Sequence, residues 1–330
     1  MKNLFGKRAL PLLLAGILTV SLAACGNTDS TDSTGDTSAP APQISQQESD
    51  VQISTQEPEE PASSVSSGEM ETEPDTGSAI PSTEEKQPLE TGITFEQILE
   101  GETGTIHYSY YLPENYDPQK EYPLMMAMPG YDRMWFGEDS SGSNLSWDGF
   151  LCWTERPEEM IVVSAQLTDW HETSARQAIA LTEFFIDHFS VDQNRVYAAG
   201  YSAGGETMSQ AVSMRSDLYA AYLHGASQWD GDYAPIAENG VAVYIFMAEH
   251  DEYYGSERAW DAYNSLRDAY IEAGWSEEQI SEVLQIQTPD DEWFARRGIT
   301  GNYHGGGNAV FGEEDVLNWV MSHSKESDIS

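Results

Sequence analysis

Through the later two-thirds of the chain, short solid apolar runs alternate with longer amphipathic stretches. In residues 104–113, GTIHYSYYLP, the residues Ile106, Tyr108 and Tyr110 share one face of a predicted strand. Residues 122–130, YPLMMAMPG, are a solid apolar run closed by Pro129-Gly130, as expected of a buried strand followed by a turn. MIVVSAQ, residues 160–166, predicts another buried strand. Residues 173–189 put Ala178, Leu181, Phe185 and Phe189 at helical spacing, with Thr173 or Ser174 as the expected cap. NRVYAAGY (194–201) predicts a strand and AGGETMSQAVSM (203–214) a helix. LYAAYLHGAS (218–227) and VAVYIFMAEHD (241–251) predict two more buried strands. A helix is expected from Ser256 until Gly274, then a short strand in SEVLQIQTP and a last helix in GEEDVLNWVMSHS. Strands alternating with helices predict an α/β fold, a mostly parallel central sheet flanked by helices on both faces. In such sheets the working groups gather at the carboxyl ends of the strands.

The first ninety residues follow other rules. Lys2, Lys7 and Arg8 precede an apolar run over residues 9–24 that Pro11 and Gly16 interrupt. It is short for a membrane-spanning helix of about 20 residues and reads as an export signal. Leu22-Ala23-Ala24-Cys25 resembles the lipobox of bacterial lipoproteins. That resemblance implies cleavage before Cys25, a diacylglycerol thioether on its sulfur, and an anchor on the outer face of a bacterial membrane. The only other cysteine is Cys152, so no internal disulfide is expected, and Cys152 is predicted to be a buried apolar residue. Residues 26–90 are rich in Ser, Thr, Pro, Glu and Asp and poor in large apolar side chains. Such a segment buries too little surface to offset its ordering entropy and is read as an acidic tether. The expected organisation is a signal peptide at 1–24, the lipidated Cys25 and tether at 25–90, and one catalytic domain at 91–326. The formal net charge of −41 argues against nucleic acid as a partner and for solubility.

Chemistry is concentrated in a few strand ends. VYAAGYSAGGETM, residues 196–208, holds G-Y-S-A-G at the junction of a predicted strand and a predicted helix. In that context the pattern is a nucleophile elbow, with the Ser202 hydroxyl raised above the sheet and glycines where side chains would collide. A serine hydroxyl needs a base to take its proton. Taking the chain order nucleophile, acid, histidine, His304 in GNYHGGGN is the histidine that remains, since it follows the last strand and precedes the last helix. Asp251 in AEHDEYYG follows a buried strand and is the expected acid, with Glu249 and Glu252 as rivals. The backbone N–H groups of Ala203 and Tyr131 are the expected oxyanion donors. Trp135, Phe136 and Trp147 in the loop after Tyr131, with Trp170 and Trp229 at other strand ends, either line the mouth of the site or form local core. The spacings hold no metal cluster and no phosphate loop, and no cofactor is expected.

With these residues the chain resembles the α/β-hydrolase superfamily. It looks most like single-domain esterases related to polyhydroxybutyrate depolymerases and feruloyl esterases, and like the catalytic domain of prolyl oligopeptidases. The likeness runs from YYLPENYDPQKEYPLMMAMPG through VDQNRVYAAGYSAGG and AEHDEYYGS to NYHGG. It implies Ser202, Asp251 and His304 as nucleophile, acid and base. The family usually has His-Gly where this chain has Pro129-Gly130. The leading expectation is a serine hydrolase cleaving small-molecule or carbohydrate-linked esters. The alternatives are a serine peptidase and a non-catalytic binding lipoprotein on the same scaffold. A peptidase of the prolyl oligopeptidase kind uses a propeller domain, for which the folded part leaves no stretch.

Overall fold

The computed structural model describes residues 90–325; the leader, Cys25 and nearly all of the tether lie outside them. Among the described residues eight strands form one sheet: β1 (Gly92–Gly101), β2 (Gly104–Leu112), β3 (Tyr122–Met128), β4 (Ile161–Gln166), β5 (Val191–Tyr201), β6 (Ala221–Gly225), β7 (Ala242–Phe246) and β8 (Leu284–Gln287). Their spatial order is β1-β2-β4-β3-β5-β6-β7-β8. The pairs β1–β2 and β2–β4 are antiparallel, and every pairing from β4 to β8 is parallel. All residues of β3, β4 and β6 are buried, which requires cover on both faces of the sheet.

The cover is helical: α1 (Asp148–Thr154), α2 (Glu172–His188), α3 (Ala203–Met214), α4 (Ala234–Glu238), α5 (Ser256–Glu272), α6 (Glu277–Val283), α7 (Asp291–Ala295), α8 (Tyr303–Gly306) and α9 (Glu314–Met321). Helix α2 packs on α3, α3 on α4 and α4 on α5, while α1 and α9 meet through the 3-10 segment Gly307–Gly312. The core between these layers is rich in tyrosine: Tyr122, Tyr197, Tyr219, Tyr222 and Tyr270 are fully buried.

Several local expectations are corrected. Strand β1 was not expected; its pattern GITFEQILEG is weak, and Ile93, Phe95 and Ile98 remain exposed. Neither Thr173 nor Ser174 caps α2. The N-cap is His171, and Asp169 accepts both the His171 N–H and the Ser174 hydroxyl. The stretch before β8 forms α6, started by a capping box between Ser276 and Gln279. Cys152 is only partly buried, at the edge of the core.

Candidate active site

Ser202 stands between the last residue of β5 and the first of α3, in a sharp strand-to-helix turn. Its φ of 54° and ψ of −126° lie where side chains are rarely tolerated, a strain of about 1–3 kcal/mol that the surroundings must offset. They do so by hydrogen bonding. The Ser202 N–H donates to Gly225 O at 3.0 Å. Its carbonyl accepts from the Gly205 and Glu206 N–H groups at 2.7 and 3.1 Å and from the Ser227 hydroxyl at 2.7 Å. Close approach also explains a glycine. A Cβ on Gly204 would sit 2.2 Å from Met128 O and 2.5 Å from Pro129 O, so α3 can begin against β3 only without a side chain there.

A second layer braces this turn. His224 on β6 is buried, with Nε2 3.1 Å from Ser227 O and Nδ1 2.8 Å from the Tyr222 hydroxyl. A carbonyl only accepts, so Nε2 carries the proton and donates, and the Tyr222 hydroxyl, 3.0 Å from Gly205 O as well, shares its one proton between that carbonyl and Nδ1. Burial pushes the His224 pKa down to about 4 and keeps the ring neutral.

Asp251, Ser202 and His304 meet above the sheet. The Asp251 side chain is inaccessible to solvent. Its Oδ1 accepts the N–H groups of Tyr253 and Tyr254 at 2.9 and 2.8 Å, and its Oδ2 lies 2.9 Å from His304 Nδ1. Burial acts to raise the Asp251 pKa, but the bond to His304 and the two backbone N–H groups outweigh it and hold the carboxyl below its ordinary range. The acceptor at Nδ1 assigns the ring proton there. That leaves the Nε2 lone pair facing the Ser202 Oγ, 3.0 Å away. Chemically, the arrangement can take a proton from a serine and hold the imidazolium that results.

His304 lies on α8, not in an open loop, and three contacts fix its backbone. Glu252 accepts the Tyr303 and His304 N–H groups, each at 2.9 Å. The Tyr201 hydroxyl donates to the His304 carbonyl. Rings of Tyr253 and Tyr254 pack on the imidazole with centroids 5.3 and 5.5 Å away. Glu252, a sequence-level rival for the acid, therefore binds the backbone of His304, whereas Asp251 binds its ring.

The chain leaving β3 passes close to the serine: a Cβ on Gly130 would lie 3.3 Å from Ser202 Cβ. The Ala203 and Tyr131 N–H groups donate to no protein group among the described residues. Both residues line a cavity of about 380 Å³ that also contains Ser202 and His304.

Comparison with known proteins bears on the fold. Residues 164–273 match the prolyl oligopeptidase family. Among curated proteins, none matches the chain. A thermostable esterase is similar in structure at a TM-score of 0.57 and 17% identity, covering 69% of this chain. The chain spans 62% of the length of that esterase. A feruloyl esterase module from Clostridium thermocellum, solved with sinapinate, has a TM-score of 0.46 at 17% identity, covering 69% of this chain and 87% of that one. The sheet order, the elbow and the likeness to the thermostable esterase agree. The chain has the α/β-hydrolase fold.

Within this hydrolase fold the cavity walls separate the aromatic candidates. Trp147 and Trp170 line the cavity. Trp147 is buried, with Nε1 donating to Asn308 Oδ1 at 2.8 Å, and Trp170 meets the Tyr131 ring edge-on at 5.9 Å. Trp135 and Trp229 stand outside it. Trp135 stacks on His107 of β2 at 3.7 Å, and Trp229 packs on Tyr222, His224 and Tyr233. They are corrected to packing residues because each has flat partners at hand away from the cavity. Sequence reasoning did not single out Tyr201, Glu206, Tyr253, Tyr254 and Asn308, which also line the cavity. The signal for all five was their place inside GYSAGGE, DEYYG and HGGGN. Among the described residues no group of His, Cys, Asp or Glu is arranged to hold a metal ion.

Proposed function

We propose that the protein is a serine hydrolase that cleaves carboxylic esters through an acyl-enzyme intermediate. The observation that carries this reading is the hydrogen-bonded chain from Ser202 Oγ to His304 Nε2 and from His304 Nδ1 to Asp251. His304 takes the Ser202 proton as Oγ attacks the ester carbonyl, and Asp251 stabilises the imidazolium. The free N–H groups of Ala203 and Tyr131 receive the oxyanion. His304 then returns the proton to the departing alcohol, and a water repeats the sequence to release the acid. Tyr131, Trp147 and Trp170 on the cavity wall suit the flat face of a sugar or an aryl acyl group. The proposal includes export and attachment to a membrane through lipid on Cys25. Labelling by a fluorophosphonate probe, lost in Ser202→Ala, tests the nucleophile, and turnover of a panel of acyl and aryl esters tests the reaction. No labelling of a folded protein returns the non-catalytic reading.

The match of residues 164–273 to the prolyl oligopeptidase family favours a second reading, a serine peptidase. An amine leaves less readily than an alkoxide and needs its proton from His304 as it departs. Matched ester and anilide substrates with one acyl group separate the two: kcat/KM for the anilide equal to or above that for the ester replaces the esterase with the peptidase.

A further inference from the structure

Two polar side chains on the cavity wall have no part in the triad. Glu206 lies in the first turn of α3, lines the cavity, and is only 6% exposed. Tyr254 lies in the acid loop. Its N–H binds Asp251, its ring packs edge-on against His304, and its hydroxyl lies beside Ser202. The Tyr254 hydroxyl donates to Glu206 Oε1. One residue thus binds Asp251, packs on His304 and faces Ser202 while its proton is bound elsewhere.

That bond determines what the wall can recognise. A phenol has one proton and lone pairs to spare. With its proton held by Glu206, Tyr254 Oη can only accept. Burial pushes the Glu206 and Asp230 carboxyls up, and the two share a hydrogen bond, so a proton lies between them while Glu206 Oε1 accepts from Tyr254. On the Tyr254 side of the nucleophile, opposite in character to the Ala203 and Tyr131 N–H groups, the wall therefore offers acceptor lone pairs, and a substrate atom resting there must bring a hydrogen. A methoxy, keto or plain hydrocarbon group there would strip water from these acceptors and give nothing in return, which costs affinity.

We propose that Tyr254, oriented by Glu206, is a specificity-determining residue that selects esters bearing a hydroxyl donor within a few bonds of the scissile carbonyl. This rests on the esterase reading above. The donor can stand on the acid or on the alcohol side of the ester, and the test has an arm for each.

The experiment measures kcat/KM of the purified protein on two series. The acid series is the 4-nitrophenyl esters of hydroxyacetic, methoxyacetic and propionic acids. Methoxyacetate matches the inductive effect of hydroxyacetate, and propionate matches its size. The alcohol series is the 2-hydroxyethyl, 2-methoxyethyl and propyl esters of one acid. In at least one series the hydroxy ester is expected to exceed both partners by about 10- to 100-fold, the range set by leaving a buried acceptor unpaired. Tyr254→Phe keeps the ring against His304 and is expected to bring that ratio to within about 3-fold, the hydroxyl's share being gone. Glu206→Gln can donate its amide hydrogen to Tyr254, turn the phenolic proton toward the cavity, and lower or invert the ratio. A purely structural role of the pair would reduce all esters together and leave the ratios unchanged, which overturns the proposal. So does a wild-type protein that hydrolyses the propionate and propyl esters but treats the hydroxy and methoxy partners alike, an outcome that leaves the esterase reading standing. No turnover of any of the six esters removes that reading, and this proposal with it.

Discussion

Glu252 and Asp251, adjacent in sequence, hold two different parts of His304. Glu252 Oε2 accepts the His304 backbone N–H at 2.9 Å, and Asp251 Oδ2 meets the His304 ring at 2.9 Å. The division leads to unequal effects of mutation. Asp251→Asn removes the charge that stabilises the imidazolium and can present a donor to Nδ1, so kcat is expected to fall by about 10⁴-fold. Glu252→Gln keeps one acceptor oxygen and shifts the histidine instead of mispairing it. A displacement of that kind costs on the order of 10²-fold. Steady-state rates of the two variants on one ester measure the difference, and equal losses would contradict it.

Ser202→Ala is expected to lower kcat by about 10⁴- to 10⁶-fold, as loss of a nucleophile does in other serine hydrolases. Its far-UV circular dichroism and thermal midpoint should stay near those of the wild type, since the Oγ faces the cavity and not the core. Substantial ester turnover by this variant would remove Ser202 from the role of nucleophile.

Gly204→Ala tests the packing of the elbow. The new methyl would meet two backbone oxygens, which cannot swing aside as a flexible side chain would. A loss of about 3 kcal/mol of stability, read from urea denaturation, is expected together with loss of activity. Wild-type stability for this variant would show that β3 and α3 are farther apart than described.

His224 predicts a pH dependence of stability. In the unfolded chain its pKa is near ~6.5; in the fold burial lowers it to about 4. Between these values the unfolded state binds the extra proton, so stability is greatest above the unfolded pKa and falls as pH drops toward the folded one. The full effect of that shift is about 3 kcal/mol. Urea midpoints between pH 7 and pH 4 measure it, and a His224→Gln variant should show a shallower slope. An identical slope in the variant would assign the pH effect to other groups.

For Cys25, the expectation lies outside the described residues and is tested by fractionation. Cys25→Ser should move the protein from the membrane to the soluble fraction if lipid on Cys25 anchors it. Unchanged membrane attachment of the variant would refute the anchor.

The legible parts of the molecule were those set by local rules. The run of small residues from Tyr197 to Gly205 specifies a strand, a sharp turn and a helix within a few residues. The same logic located Asp251 and His304, since chain order brings the ends of successive parallel strands to one edge. What was not legible depends on partners far away in sequence. Trp135 and Trp147 share one loop and one chemistry, yet one stacks on His107 and the other donates to Asn308, 161 residues on. Glu252 stands in sequence as a rival to Asp251 for the acid, and only the position of α8 gives it two backbone N–H groups to hold instead. The brace from His224 through Ser227 to the nucleophile's carbonyl leaves no trace in the local pattern.

Strand β1 has a further consequence for how the molecule survives at high concentration. It is an outer strand of ten residues with exposed Ile93, Phe95 and Ile98, features that would template strand-to-strand aggregation between copies. Its register breaks between Thr94 and Gln97, where Glu96 takes a φ of 55° and its carboxylate accepts the Ser141 hydroxyl. A bulge there bends the free edge, and a charged residue tied to a neighbouring loop occupies it, so a second copy finds no straight ladder to extend. Deleting Glu96 would straighten that edge and turn the outermost strand into a nucleus for fibrils.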